Sequence, residues 1–308
     1  MVKQRADQGA SRARAGLGAI ALAAALWALG AAVAASLFDD GVKPLELAEA
    51  RSVVSAFGLA LVPAAWRRPA SPPPERVRRS LVALGVCIGM VNAVYFVAIE
   101  RLPVAVALVL QYTAPALVVI WTALRLRAKP SNDVAFAVLL ALVGVALVSG
   151  LLGAEVASAD ALGIVMALAS AVLFATYTLI GESVISVYGA LGAMFRAFSI
   201  AGAGWIIWQV FNGWPAELFD PANLPRVFLV GVMATLAPFF LYLWGVERVR
   251  AERAAIAATL EPVLGALVAW QFLNQSLEVV QIIGGALVIV AVILIQTGRK
   301  DPVLIAEL

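Results

Sequence analysis

Histidine is absent from all 308 residues, and cysteine occurs once, as Cys87. The first absence removes imidazole metal sites, serine–histidine–aspartate catalysis and histidine proton relays. The second rules out an internal disulfide. No lysine sits in a GxxxxGK(S/T) loop, which excludes nucleotide binding of the P-loop kind. Charge is scarce as well: Asp, Glu, Lys and Arg make up 13% of the chain, while 63% is hydrophobic. A soluble domain is roughly a quarter charged and about half apolar. This chain has too little polar surface to face water on all sides, and a bilayer is its natural solvent. The net charge of +3 comes from cations in connecting segments and concerns topology, not nucleic acid. No cofactor, metal, nucleotide hydrolysis or nucleic-acid partner is expected. The expected partners are lipid and a small solute, with the protein a monomer or weak homodimer.

A helix needs about 20 mostly apolar residues to cross the hydrocarbon. Ten stretches qualify: Ala15–Phe38, Leu45–Trp66, Ser80–Ile99, Pro103–Leu124, Val134–Leu152, Ala161–Gly181, Ala190–Phe211, Pro225–Gly245, Ala254–Leu273 and Val279–Thr297. Lipid offers no partner for unpaired backbone groups, so the spans are read as helices. The alternating segments of a membrane barrel are absent. With the N-terminus in the cytoplasm, inner segments hold 17 Lys and Arg and outer segments 3. That bias places both termini inside. The basic start and the apolar run ending near Val33-Ala34-Ala35 imitate a secretion signal. The run is 24 residues, long for such a signal, and it has a counterpart later in the chain.

That counterpart belongs to a repeat. YFVAIERL at Tyr95–Leu102 and YLWGVERV at Tyr242–Val249 lie 147 residues apart. The same shift sets Gly16 on Gly163, Trp27-Ala28 on Phe174-Ala175, Glu100-Arg101 on Glu247-Arg248 and Pro115 on Pro262. A shift of 145 sets Arg51 on Arg196, and one of 140 sets Gly144 on Gly284. The chain therefore divides into a cytoplasmic tail at 1–14, a five-helix repeat at 15–152, a linker at 153–160, a second repeat at 161–298 and a tail at 299–308. Five is odd, so the second copy enters the membrane from the opposite face. Inverted repeats are an architecture of secondary transporters, with substrate held near the midplane where the repeats meet.

The segments GAIALAAALWALG, YFVAIERLPVAVALVLQYTAPALVVIW and IAATLEPVLGALVAWQFLNQSLEVVQIIGGALVIVAVIL resemble the EamA-type members of the drug/metabolite transporter superfamily. The likeness runs from about Gly16 to Thr297 and is most specific from LEPV to the QIIGG of the tenth helix. It implies an all-α membrane protein of ten helices in two inverted halves, exporting small metabolites, often amino acids, without ATP. Two positions depart from the family. Gln111 stands where a glutamate is frequent in the fourth helix, and Gln275 or Ser276, with Glu278 close by, stands where an acidic residue follows the ninth.

Several residues are too polar for their depth, or too disruptive. Glu261 lies deep in the ninth helix, and an intramembrane carboxylate faces a cavity or a partner. It is a structural carboxyl or a carrier of substrate or protons. Arg51 and Arg196 lie six or seven residues inside their helices, where they snorkel or find internal partners. Glu100-Arg101 and Glu247-Arg248 fall at opposite faces, as interfacial anchors or as gates. Pro115 and Pro262 break the backbone ladder and free the carbonyls of Gln111 and Ala258. Gln111 and Tyr112 share a helical face with Pro115. Trp27, Tyr95, Tyr177, Tyr242 and Trp244, with Asn92 and Thr176, are at the depth of a cavity lined by helices one, three, four, six, eight and nine. Gly85 and Gly89 predict close helix packing. An enzyme would show a cluster of polar groups at one face, and none is present. The expected activity is export of a small amphipathic metabolite from the cytoplasm across the inner membrane by alternating access. A lipid flippase and multidrug efflux by proton antiport are the alternatives.

Overall fold

A computed structural model describes residues 2–99, 101–102, 104–127, 129–151, 160–272 and 278–297. Among them the chain is helical, with no strand. Twelve α-helical segments follow in order: α1 (Val2–Asp39), α2 (Pro44–Ala60), α3 (Glu75–Ile99), α4 (Val104–Gln111), α5 (Ala114–Leu126), α6 (Asn132–Val148), α7 (Ala161–Asn212), α8 (Leu224–Gly231), α9 (Ala237–Val249), α10 (Ala251–Ala258), α11 (Leu260–Phe272) and α12 (Val279–Thr297). Among the described residues, five helical stretches are long and apolar enough to cross a bilayer: Ser11–Phe38, Glu75–Ile99, Val106–Leu126, Ala161–Asn212 and Leu224–Val249. Asn132–Val148 and Val279–Ile295 are shorter apolar helices.

The differences from the ten expected spans have local causes. Regular α-helix in α2 ends at Ala60, and a 3₁₀ turn at Pro63–Trp66 completes the expected stretch. The sixth and seventh spans are joined in α7, which would be about 78 Å long if straight. It turns at Gly189, whose φ of 68° interrupts the helix. A side chain there would meet no neighbour, so the left-handed backbone, not crowding, calls for glycine. The eighth span contains a π-helical turn at Val232–Leu236, between α8 and α9.

The fourth and ninth spans are each broken three residues before a proline. Tyr112-Thr113 separates α4 from α5 ahead of Pro115, and Thr259 separates α10 from α11 ahead of Pro262. Each break carries a threonine whose hydroxyl donates to a carbonyl one turn back, Thr113 to Leu110 and Thr259 to Ile256. Helix starts follow ordinary capping: the Ser131 side chain accepts from the Val134 N–H, and Asp160 accepts from Leu162.

Packing repeats with the sequence. A Cβ on Gly16 would lie 2.7 Å from the Cβ of Arg248 and 3.0 Å from Val249. One on Gly163 would lie 3.0 Å from the Cβ of Arg101 and 2.7 Å from Leu102. These are the same contact in the two halves, since 16 and 163, like 101 and 248, are 147 apart. Gly144 and Gly284 meet each other, each added Cβ falling 2.7 Å from the other's carbonyl oxygen, so α6 and α12 cross at backbone distance. Gly85 and Gly89 bring α3 against the second part of α7, with Ile200 at 2.7 Å and Ala201 at 3.1 Å.

Candidate functional site

A cavity of about 110 Å³ lies at the centre of the bundle. Its aromatic wall includes Trp27, Tyr95, Phe96, Phe174, Tyr177 and Phe239, and its polar groups are Arg51, Asn92, Gln111, Tyr112 and Glu261. Apolar walls with a few placed polar groups suit a small organic solute. α1 contributes Trp27 to Ala34 and α3 contributes Val91 to Phe96. The space therefore runs from mid-helix toward the C-terminal ends of both.

Many lining positions are pairs 147 residues apart: Trp27 with Phe174, Gly30 with Tyr177, Asn92 with Phe239, Ala114 with Glu261. The site lies where equivalent parts of the two halves face each other. The chemistry within each pair is unlike. Glu261 stands in the first turn of α11, and Ala114 holds the matching place in α5.

The proline breaks equip this site. Tyr112 is buried, and its hydroxyl lies 2.6 Å from Glu261 Oε2 and 3.4 Å from the carbonyl oxygen of Ala258. That carbonyl is one that Pro262 leaves without its helical donor. The trio can hold a proton in two ways. An ionised Glu261 accepts from Tyr112. A protonated Glu261 donates to the Tyr112 oxygen, whose own hydrogen then turns to Ala258. A carboxyl buried in the membrane is thus satisfied in both states, as its depth requires.

Arg51 takes the opposite wall. It is 8% exposed. Nε donates to Thr235 Oγ1 at 2.6 Å and Nη2 to the Ala234 carbonyl at 3.0 Å. The π-helical turn supplies both acceptors, because its widened ladder holds Thr235 and Ala234 toward α2. The guanidinium also lies 5.9 Å from the Phe96 ring centre. Arg51 and Glu261 line the same cavity but form no ion pair within 4.0 Å. Sequence reasoning left Arg51 between snorkelling and an internal partner; the signal at the acceptor turn is Pro238, which leaves the Ala234 carbonyl without its helical donor as Pro262 does that of Ala258.

The remaining expected residues fall elsewhere. Tyr242 is fully buried beside the cavity, bonded to Thr178 and packed on Trp27, Phe174 and Tyr177. Trp244 lies under the Arg248 guanidinium at 3.3 Å. Thr176 is half-buried and lines no part of the cavity. Arg196 turns to the rim, donating to the carbonyls of Ala65, Arg67 and Gly192 and stacking on Tyr188. Glu100, Gln275 and Ser276 lie outside the described residues. Arg101 pairs with Asp160 at 2.7 Å. Glu247 pairs with Arg248 at 3.1 Å and with Arg12 at 3.9 Å. Two polar contacts were not anticipated: Gln209 donates to Glu49 between α7 and α2, and Glu182 accepts the N–H of Ala251 at the start of α10.

Comparison with known proteins decides the family. The sequence profile of the EamA-like transporter family matches residues 14–150 and again 161–297, the second match beginning 147 residues after the first. The chain belongs to the EamA-like transporter family. This places it in the drug/metabolite transporter superfamily, a group of membrane transporters. It is 26% identical over 281 residues to the threonine/homoserine exporter RhtA of Escherichia coli, covering 88% of each chain. It is 29% identical over 210 residues to YicL of Salmonella typhimurium, described as an uncharacterized inner membrane transporter, over 68% of this chain and 70% of that one. A solved crystal structure superposes with a TM-score of 0.69 at 18% identity, over 92% of this chain and 97% of the other. The last likeness is one of fold.

Proposed function

We propose that this EamA-like chain is a secondary transporter of the bacterial cytoplasmic membrane that exports small amphipathic metabolites, amino acids or related compounds, by alternating access. Ten helices would form two five-helix repeats of opposite orientation, 15–152 and 161–298, with both termini cytoplasmic. The observation that carries this reading is a contact that is close on one side of the site and looser at its equivalent on the other. α5 closes on α10 through Ala114, Val118, Ala251 and Ala255, joined by Ala171 and Ala175 of α7. The equivalent pair, α4 and α11, approaches less closely along the backbone, is linked through Tyr112 and the apolar cluster around Val263, and flanks the cavity. Two repeats that can exchange these arrangements have the bistable element that alternating access requires. In the topology given by the positive charges, the closed crossing is cytoplasmic and the cavity reaches outward. Glu261, with Tyr112 and the Ala258 carbonyl, is the group assigned to proton coupling. The exporter named among the relatives supports the solute class.

Counterflow in proteoliposomes tests the reading. Vesicles loaded with unlabelled threonine, valine or phenylalanine should accumulate the labelled amino acid transiently. Exchange no faster than in protein-free liposomes, for all three, overturns it. For Glu261→Gln, pH-driven uptake should fall to the level seen without a gradient; equal driving in both proteins removes the coupling role alone.

A further inference from the structure

Arg51 is a buried cation without a counter-ion in contact. Among the described residues no carboxylate lies within ion-pair distance of it. Glu49, two residues away, is engaged by Gln209 on the far side of α2. Glu261 is hydrogen-bonded to Tyr112 and makes no contact with Arg51 within ion-pair distance. The two groups that hold Arg51, a threonine hydroxyl and a backbone carbonyl, are neutral. Nη1 donates to no described residue, and the side chain forms part of the cavity wall. Removing a guanidinium from water without an anion is costly. A site that fixes the cation with neutral acceptors, gives Nη1 no described acceptor and sets the side chain in a cavity wall is built to receive negative charge from a solute. Arginine presents a rigid planar fork suited to two-point contact with a carboxylate.

We propose that Arg51 is the anchoring site for a carboxylate on the transported solute. Nη1 and the remaining Nη2 hydrogen grip the carboxylate. The apolar body rests against Trp27, Phe174 and Phe239. A cationic amine on the same solute meets the carboxyl of Glu261 across the cavity. The ligand class is a small monocarboxylate, and an α-amino acid in its zwitterionic form satisfies both walls. The position of Arg196 in the second half is closed by backbone carbonyls at the rim, so the carboxylate binds in one orientation only. This deepens the transporter reading and rests on the same cavity.

The test uses the full-length protein with threonine, valine and phenylalanine, their amides, and the acids lacking the amino group. Thermal stabilisation and counterflow are read separately. Wild type should be stabilised by the amino acids, less by the des-amino acids and not by the amides. Arg51→Gln should weaken the response to the acids about tenfold or more, the size expected for a charge-assisted contact. Arg51→Lys should recover part of it. Glu261→Gln should erase the preference for an amino acid over its des-amino acid. Amides that stabilise or exchange as well as the free acids overturn the anchoring site while leaving the transporter intact. So does an Arg51→Gln response within about twofold of wild type. Because the amide comparison is made on wild type, the result stands even if the variant does not fold. If no solute exchanges but acids still stabilise wild type and not Arg51→Gln, the site survives and the transport reading falls. If no acid stabilises wild type, the site is overturned.

Discussion

Arg51 and Arg196 occupy matching places in the two halves and live in different worlds. Arg51 forms part of the cavity wall, held by a hydroxyl and a carbonyl from a π-helical turn. Arg196 turns to the edge, where three backbone carbonyls and the Tyr188 ring take up its charge. The backbones repeat while the side-chain chemistry does not. The cavity pairs follow the same rule: Trp27 with Phe174, Asn92 with Phe239, Ala114 with Glu261. Symmetry accounts for the packing that holds the halves together. Its violation accounts for the polar groups a solute would meet. A symmetric site would face its solute with two identical walls and could not bind a dipolar molecule in one orientation.

Placing a carboxyl at the matching position of the other half should break this arrangement most. In Ala114→Glu, the new side chain would enter the closed crossing among Val118, Ala251 and Ala255. The side chains gathered at that crossing are apolar, and Ala114 also lines the cavity. The expected cost is about 3 kcal/mol, from an uncompensated buried charge, together with loss of counterflow. Thermal unfolding in detergent and transport read both. Unchanged stability would mean that the crossing is open and wet, removing the difference between the two sides of the site.

The mirrored glycines sharpen the symmetric half of the comparison. Gly16→Val and Gly163→Val each force a side chain into the helix end opposite, and each should destabilise by about 2 kcal/mol through overpacking. The informative quantity is their similarity. If one variant is destabilised and the other is not, the repeated contact between first and last turns is not shared by the halves. A smaller effect is expected at the divergent arginine. Arg196→Ala loses only contacts at the rim and should cost about 1 kcal/mol or less, with counterflow near wild type. A transport defect there as deep as that of Arg51→Gln would make the two arginines equivalent after all.

Much of this was legible in the chain. The 147-residue shift located the equivalent helices, and the prolines marked the two broken ones, because each signal is local: a ring that cannot donate, an apolar run of given length. Glu261, Tyr112, Gln111, Asn92, Tyr95, Tyr177 and Trp27 were singled out as polar or aromatic at depth, and they line one cavity. The direction of Arg51 was not legible. It depends on acceptors 183 and 184 residues away, at a π-helical turn that Gly231 and Pro238 flank without indicating which side chain it will hold. Nor was the place of Trp244, whose ring is covered by Arg248 one turn on. The Glu49–Gln209 pair escaped because neither residue is remarkable until α2 and α7 are packed together.

The gentlest probe of the asymmetry lies at the surface. Arg101 reaches Asp160, the residue that starts α7. Its counterpart Arg248 folds back on Trp244 and Glu247 instead. The Arg101 guanidinium, and after it the Leu162 N–H, hold the Asp160 carboxyl below its ordinary value. A carboxyl whose pKa is lower folded than unfolded stabilises the fold above the unfolded value, near 3.9, and the benefit fades as pH falls through the lower native one. Asn caps a helix about as well as Asp, so Asp160→Asn removes the charge and keeps the cap. At pH 7 the variant should unfold at a slightly lower temperature than wild type. Once the pH lies below that native value the two should coincide, and added salt at pH 7 should narrow the gap, since both partners are exposed. A difference that persists in acid would assign the effect to the cap and leave the two helix ends without the electrostatic distinction the structure gives them.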